Sequence, residues 1–306
     1  SLWMLKYIII IIGFLLLIKG ADLFVDKATI IATKLKIPKI IIGMTIVAIG
    51  TSLPELSVSV QSSILGLNDM CVANVIGSNI FNLLMITGTI ALLRKVKINN
   101  FMNVFKTFGV YILLIVLSLD KNLSLLDGII LLGVFIAYMI NMIKSESYTE
   151  EENEDVVKEH ILKTIVLGLI GLAGIAYGGN LVIESARDIA LSLGMSENLV
   201  GLTVVALGTS LPEYVTSIVA CKKDEMDIAI GNILGSNIFN ILLVLGLASL
   251  LAPISVSIVT LIDALFMFIT MILFIIFTFK KRTVNKFTGI MFIMTYVAYI
   301  CYTIIR

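Results

Sequence analysis

The chain has 306 residues, 59% of them hydrophobic and 14% charged, and its 22 Lys and Arg against 21 Asp and Glu leave a net charge of +1. Soluble domains carry about 45–50% apolar and about 25% charged residues, so with a mean hydropathy of +1.08 a soluble globule is excluded. The lack of a basic excess excludes a nucleic-acid-binding protein.

Apolar runs of about twenty residues, enough to cross a hydrocarbon core about 30 Å thick, recur along the whole chain. They fall at 3–25, 40–66, 72–93, 101–119, 125–143, 161–183, 198–221, 227–251, 254–279 and 285–305. The first has no signal-peptide cleavage pattern and reads as a membrane span. The runs at 40–66 and 198–221 also hold Gly, Pro, Ser, Thr and Glu, so they read as interrupted helices. The expectation is an all-α membrane protein of ten transmembrane helices. Cys71, Cys221 and Cys301 have no metal-ligand or disulfide spacing and read as small packing residues. His160 stands alone beside an acidic run, which argues against a metal or proton-relay role.

Ten spans place both termini on one side. With that side outside, the inner connections hold Lys27, Lys34, Lys36, Lys39, Arg94, Lys95, Lys97, Lys106, Lys144, Lys158, Lys163, Lys222, Lys223, Lys280, Lys281, Arg282 and Lys286. The outer side holds only Lys6, Lys121, Arg187 and Arg306. The positive-inside rule therefore predicts extracellular termini in the plasma membrane. Residues 144–160, with the acidic stretch 146–155, read as a solvated cytoplasmic linker between halves at 1–143 and 161–306.

Those halves repeat. Gly43-x-Thr45-x-Val47-Ala48-x-Gly50-Thr51-Ser52-Leu53-Pro54-Glu55 recurs 158 residues later as Gly201-x-Thr203-x-Val205-Ala206-x-Gly208-Thr209-Ser210-Leu211-Pro212-Glu213. The same offset carries Asn74-x-x-Gly77-Ser78-Asn79-Ile80-Phe81-Asn82 onto Asn232-x-x-Gly235-Ser236-Asn237-Ile238-Phe239-Asn240. A duplicated unit of five spans has an odd count, so the second copy lies inverted in the membrane. Inverted repeats with interrupted helices at matching positions point to a secondary transporter with a site near the membrane midplane.

The motif chemistry supports this. Pro54 cannot donate to the carbonyl of Gly50 and its ring clashes there, so the helix opens. Carbonyls around Ala48 become available, and Thr51, Ser52 and Glu55 bring two hydroxyls and a carboxylate, with Thr51 and Glu55 expected on one helix face. Ala206, Thr209, Ser210 and Glu213 do the same in the second copy. Ser78 with Asn82, and Ser236 with Asn240, add hydroxyl and amide oxygens. An all-oxygen set suits a hard cation such as Ca²⁺. Asn74, Asn79, Asn232, Asn237, Thr45 and Thr203 read more simply as polar contacts between helices. That explanation fails for Glu55 and Glu213. A carboxylate at the bilayer centre costs at least about 2.5–3.5 kcal/mol, and neither segment contains a Lys or Arg.

These paired motifs resemble the alpha-repeats of the Ca²⁺/cation antiporter superfamily, and among its members prokaryotic sodium/calcium exchangers. The resemblance implies an exchanger-like fold of two inverted five-helix repeats and an antiporter, not an enzyme, with Na⁺ and Ca²⁺ as transported ions and no cofactor or obligate protein partner. It implies that Glu55 and Glu213 are central Ca²⁺ ligands and that Asn82 and Asn240 line the central position. Thr51, Ser52, Ser78, Thr209, Ser210 and Ser236, with the carbonyls of Ala48 and Ala206, would serve Na⁺ and Ca²⁺. It also implies that the first and sixth helices slide as a gating pair. Asn240 stands where potassium-dependent members, and some potassium-independent prokaryotic ones, carry Asp, which argues against potassium dependence. Gly-Thr-Ser-x-Pro-Glu in place of Gly-Asn-x-x-Glu favours sodium over proton coupling. A proton-coupled exchanger of the same fold is the alternative, and a cation channel is a more distant one.

Overall fold

A computed structural model of the chain describes residues 2–145, 158–196 and 200–306. The acidic stretch expected to form the linker lies outside the described residues. Two helices are longer than their apolar runs. Helix α1 spans Leu2–Leu35 and α9 spans Ile161–Ser192. Hydropathy falls at Asp22, Asp26 and Lys27, but charge alone does not end a helix. Stop signals come only with Pro38 after α1 and with Gly194, at φ +91°, after α9. At 1.5 Å per residue each helix is about 50 Å long, more than the hydrocarbon core requires. Lys27 and Lys34, expected in a connection, therefore lie on α1 itself.

The interrupted segments break where Pro predicts. Helix α2 (Lys39–Ile42) passes through a π-helical turn at Gly43–Val47 into α3 (Ala48–Thr51), and α4 (Leu53–Ile64) then leaves at a 50° bend. After a π turn at Gly201–Val205 come α10 (Ala206–Thr209) and α11 (Leu211–Lys222), bent by 48°. The Gly-Ser-Asn motifs close α5 (Asn68–Phe81) and α12 (Met226–Phe239). Further π turns follow at Asn82–Ile86 and Asn240–Leu245, leading into α6 (Thr87–Leu93) and α13 (Gly246–Leu251). These two spans are 78% and 83% buried, against 22–39% for the other long apolar helices, so the motifs sit on the inner helices. Helices α7 (Met102–Leu117), α8 (Leu125–Ser145), α14 (Ile258–Thr278) and α15 (Lys286–Ile305) complete the set. Among the described residues, seven helices are long and apolar enough to span, two bent pairs qualify jointly, and α7 is a shorter apolar helix. Together they match the ten expected runs.

The chain forms two compact units, each drawing on both repeats. One comprises the described parts of Ser1–Thr51, Glu146–Asn232 and Val297–Arg306; the other comprises Ser52–Ser145 and Ile233–Tyr296. The second unit displays the inversion directly. Strand β1 (Val96–Lys97) precedes α7 and β2 (Asn122–Leu123) follows it, while β3 (Ile254–Ser255) precedes α14 and β4 (Thr283–Val284) follows it. The pairs are β1 with β4 and β2 with β3. The repeat offset makes β1 equivalent to β3, yet β3 lies beside β2, at the opposite end of α7. Equivalent positions thus sit at opposite ends of one helix, as an inverted repeat demands.

In the first unit α1 packs on α9 through glycines. A Cβ on Gly20 would lie 2.6 Å from Gly171 O, and one on Gly178 would lie 2.6 Å from Gly13 O. The 158-residue offset relates Gly13 to Gly171 and Gly20 to Gly178, so each glycine meets the equivalent of the other across an antiparallel seam. Ion pairs flank it: Lys6 with Asp188 at 3.3 Å, Lys27 with Glu159 at 2.9 Å, and Lys223 with Asp22 and Asp26 at 2.7 and 2.8 Å. Asp22 and Asp26 thus share one cationic partner at the surface. His160 caps α9, its Nδ1 accepting from Leu162 N–H. Cys71 and Cys221 are buried free thiols and Cys301 is an exposed one.

Candidate functional site

Each Pro-Glu pair starts a new helix inside the membrane-spanning segment. Ser52 stands at the N-cap position of α4 with φ −88° and ψ 8°, Pro54 occupies the first turn where a missing N–H costs nothing, and Glu55 lies in that same turn. Ser210, Pro212 and Glu213 repeat the arrangement on α11. A helix N-terminus carries about half a positive charge, so the break that frees carbonyls also creates a site favourable to a carboxylate. Both glutamate side chains are fully buried.

Thr51 differs from expectation. It ends α3, whereas Glu55 is on α4, so the pair does not share one helical face. The bend at Ser52 separates them, and the Thr51 hydroxyl turns back toward Val47 O at 3.1 Å and Ala48 O at 3.4 Å. Thr209 likewise donates to Ala206 O at 3.2 Å. Ala48, Thr51, Ser52, Ser78, Asn82, Thr209, Ser210, Ser236 and Asn240 are all buried, and Ala206 is half-buried.

In the first unit, Asn232 braces the second break. Its Nδ2 donates to Glu213 O at 3.4 Å and to Ser217 Oγ at 3.0 Å, and its Oδ1 accepts from Thr51 Oγ1 at 3.0 Å. In the second unit, Asn74 Nδ2 holds Glu55 O at 3.4 Å and Ser59 Oγ at 3.2 Å, the same clamp in the other repeat. Among the described residues Thr45 bonds its own helix, at Ile41 O, and not a neighbouring one.

The second unit also gathers Glu55, Ser78, Asn79, Asn82, Asn237 and Asn240 into one hydrogen-bonded chain. Ser78 Oγ donates to Glu55 Oε1 at 3.2 Å, and Asn240 Nδ2 donates to Ser78 Oγ at 3.3 Å and Asn79 Oδ1 at 3.0 Å. Asn79 Nδ2 donates to Asn237 O at 3.1 Å, and Asn237 Nδ2 donates to Asn79 O at 3.3 Å and Tyr111 OH at 2.9 Å. Asn237 Oδ1 accepts from Asn82 Nδ2 at 3.1 Å. Equivalent residues of the two repeats touch reciprocally at Asn79 and Asn237, which places the local two-fold axis between them. Among the described residues, the buried Asn82 Oδ1 and Asn240 Oδ1 have no hydrogen-bond partner. Buried acceptors without donors are rare, and a carbonyl oxygen in that state suits a cation.

The sequence marked the glutamates, hydroxyls and amides of this chain, but gave Asn79 and Asn237 only a packing role and gave Tyr111 none. Tyr111 lies in an apolar helix outside both motifs, with no sequence signal to single it out. Among the described residues no cluster of three or more His, Cys, Asp or Glu exists.

Comparison with known proteins agrees with the duplicated motifs. The family profile described as sodium/calcium exchanger protein matches residues 5–144 and 163–305. A putative antiporter, CaxA of Alkalimonas amylolytica, is 38% identical over 80% of this chain and 81% of its own length. Sodium/calcium exchanger MaX1 of Methanosarcina acetivorans is 30% identical over 96% of this chain and 97% of its own. A solved structure of the sodium-calcium exchanger NCX_Mj, soaked with Na⁺ and Sr²⁺, superposes with a TM-score of 0.86 at 31% identity, covering 98% of this chain and 99% of that one. With one family profile matching both halves and relatives aligned nearly end to end, the chain belongs to the sodium/calcium exchanger protein family.

Proposed function

We propose that the protein is a plasma-membrane antiporter that exchanges Na⁺ for Ca²⁺ by alternating access, with both termini outside the cell. Glu55 and Glu213 are its ion-binding carboxylates. Thr51, Ser52, Ser78, Thr209, Ser210, Ser236, Asn82 and Asn240, with the carbonyls of Ala48 and Ala206, supply neutral oxygens, and α1 and α9 are the pair that slides. The observation that carries this reading is the pair of fully buried glutamates, each in the first turn of a helix that restarts within a membrane-spanning segment. A buried anion in such a place needs a counter-charge, and a transported cation provides one that comes and goes.

Asn240, where potassium-dependent members carry Asp, supports potassium independence. Its amide nitrogen donates to Ser78 and Asn79, and a carboxylate at that position has no proton to give them. Exchange of three Na⁺ for one Ca²⁺, the family-implied ratio, moves one net charge per cycle and is driven by about 2.3 kcal/mol per 100 mV. The test is calcium uptake into liposomes with sodium, potassium and proton gradients imposed separately and the membrane potential clamped. The expected result is uptake driven by sodium alone, sensitive to voltage, and abolished in Glu55→Gln and Glu213→Gln. Uptake driven by a pH gradient without sodium favours the proton-coupled exchanger, and flux needing no counter-ion favours a channel. Normal exchange in either glutamine variant overturns the carboxylate assignment.

A further inference from the structure

The polarity of the hydrogen-bond chain in the second unit is fixed from one end. An ionised Glu55 only accepts, so the hydroxyl proton of Ser78 points to Glu55 Oε1. Ser78 Oγ must then accept, so Asn240 presents its Nδ2 there and to Asn79 Oδ1. Asn79 keeps that oxygen in place because its own Nδ2 is taken by Asn237 O. Asn237 turns its Oδ1 to Asn82 because its Nδ2 is held by Asn79 O and Tyr111 OH. Each amide in the chain has one orientation that satisfies its neighbours. The result is that two carbonyl oxygens of the chain, Asn82 Oδ1 and Asn240 Oδ1, are left without a donor among the described residues while remaining fully buried.

We infer that Asn79, Asn237 and Tyr111 are positioning residues: they hold Asn82 and Asn240 with their amide oxygens, and not their nitrogens, directed at the transported cation. This rests on the ion-binding reading above and extends it to three residues that do not touch the ion. An amide is a two-faced group whose oxygen attracts a cation and whose N–H₂ repels one. An Asn ligand free to rotate spends part of its time with the wrong face inward, and ion affinity falls by that fraction. A fixed network removes that loss. Tyr111 is the brace most open to a clean test, because Tyr111→Phe removes one oxygen from a fully buried ring and leaves its packing.

The experiment measures initial rates of sodium-driven calcium uptake in liposomes over a range of Ca²⁺ concentrations, for wild type, Tyr111→Phe and Glu55→Gln, normalised to folded transporter. Tyr111→Phe is expected to raise the apparent KM for Ca²⁺ by roughly fivefold to tenfold, the weight of one neutral hydrogen bond, with the maximal rate changing less. A merely structural role lowers thermal stability and leaves KM alone, and that outcome overturns the inference. Should Tyr111→Phe not accumulate in membranes, Asn237→Ala, which releases Asn82, and Asn79→Ala, which releases Asn240, are read by the same KM measurement and decide in its place. Glu55→Gln separates the two levels. If it abolishes uptake while the positioning variants keep the wild-type KM, the inference fails and the function stands. If Glu55→Gln transports normally, the ion-binding reading fails and the inference with it.

Discussion

Replacing Gly20 by Ala puts a methyl group where the neighbouring helix offers only backbone. A Cβ there lies 2.6 Å from Gly171 O, 2.8 Å from Ile175 N and 3.0 Å from Gly174 C. Ordinary contact begins at 3.4 Å, so α9 must withdraw by 0.8 Å at that crossing, the difference between 3.4 and 2.6 Å. None of the three atoms can rotate aside as a side chain would. A gap of that size forfeits about a quarter to a half of each dispersion contact it opens, and overpacking costs about 1–3 kcal/mol. Because the obstacle is backbone, about 2–3 kcal/mol is the appropriate part of that range. Alanine's helix propensity offsets about 0.5–1 kcal/mol, which leaves a net loss of about 1–2.5 kcal/mol. Gly109→Ala on α7 and Gly133→Ala on α8 meet nothing within 4 Å and are expected to be neutral or to stabilise by up to about 1 kcal/mol. The assay is thermal unfolding of the purified protein in detergent, with exchange rates in liposomes expressed per folded molecule. If α1 and α9 form a sliding pair, the Gly20→Ala rate falls further than its folded fraction does. Adding Gly171→Ala costs less than a second full increment, since both open the same seam. A Gly20→Ala protein as stable as Gly133→Ala refutes the close-packed seam.

Two further outcomes follow from the polar contacts. Asn232→Ala removes three hydrogen bonds from a fully buried position and is expected to cost about 2–4 kcal/mol. Asn74→Ala, at a half-buried position where water reaches the freed groups, costs less, and equal unfolding midpoints for the two variants count against the clamp. The Lys27 ammonium hydrogen-bonded to Glu159 holds that carboxyl below its usual range, helped by Thr164 and opposed by burial. A depressed carboxyl contributes stability above its unfolded pKa of about 4.3 and loses it as pH falls through the lower folded value. Lys27→Met should therefore melt earlier than wild type at pH 7, with the gap closing toward pH 3, and a gap unchanged by acid refutes the pairing. At the other limit, burial disfavours the Lys223 ammonium, but hydrogen bonds to Asp22 and Asp26 outweigh it and raise its pKa, so that contribution is kept until strongly alkaline pH.

Much of the fold was legible because its signals are local and duplicated. Ten apolar runs, two Pro breaks and a constant offset needed no tertiary information, and an odd number of spans per repeat forces inversion by counting. Helix length was less legible at α1 and α9. A hydropathy window ends a span where Asp22, Asp26 and Lys27 appear, yet those side chains find Lys223 and Glu159 and the helix continues to Leu35. The π turns left no sequence trace. They require one extra residue per turn, which hydrophobic periodicity does not resolve over five residues, although their positions at Gly43–Val47, Asn82–Ile86, Gly201–Val205 and Asn240–Leu245 repeat with the motifs. At the site, residue chemistry identified Glu55, Ser78, Asn82 and Asn240, but not which face of each amide turns inward. That depends on partners such as Asn237, 155 residues from Asn82, and Tyr111, 126 residues from Asn237.

Duplication alone yields two equivalent halves, and the Asn79–Asn237 contact on the local axis is where equivalence is both imposed and broken. Across it, Asn240 answers to Asn79 and Asn82 answers to Asn237, as symmetry requires. Yet among the described residues Asn240 Nδ2 has two acceptors, Ser78 and Asn79, whereas Asn82 Nδ2 has one, Asn237. Tyr111 bonds Asn237 and so steadies the partner of the more weakly held amide. The offset that relates the repeats carries position 111 to Ile269, which offers no hydroxyl. The brace therefore has no hydroxyl counterpart at the offset position. It falls on the side where the inherited contacts leave Asn82 with a single acceptor.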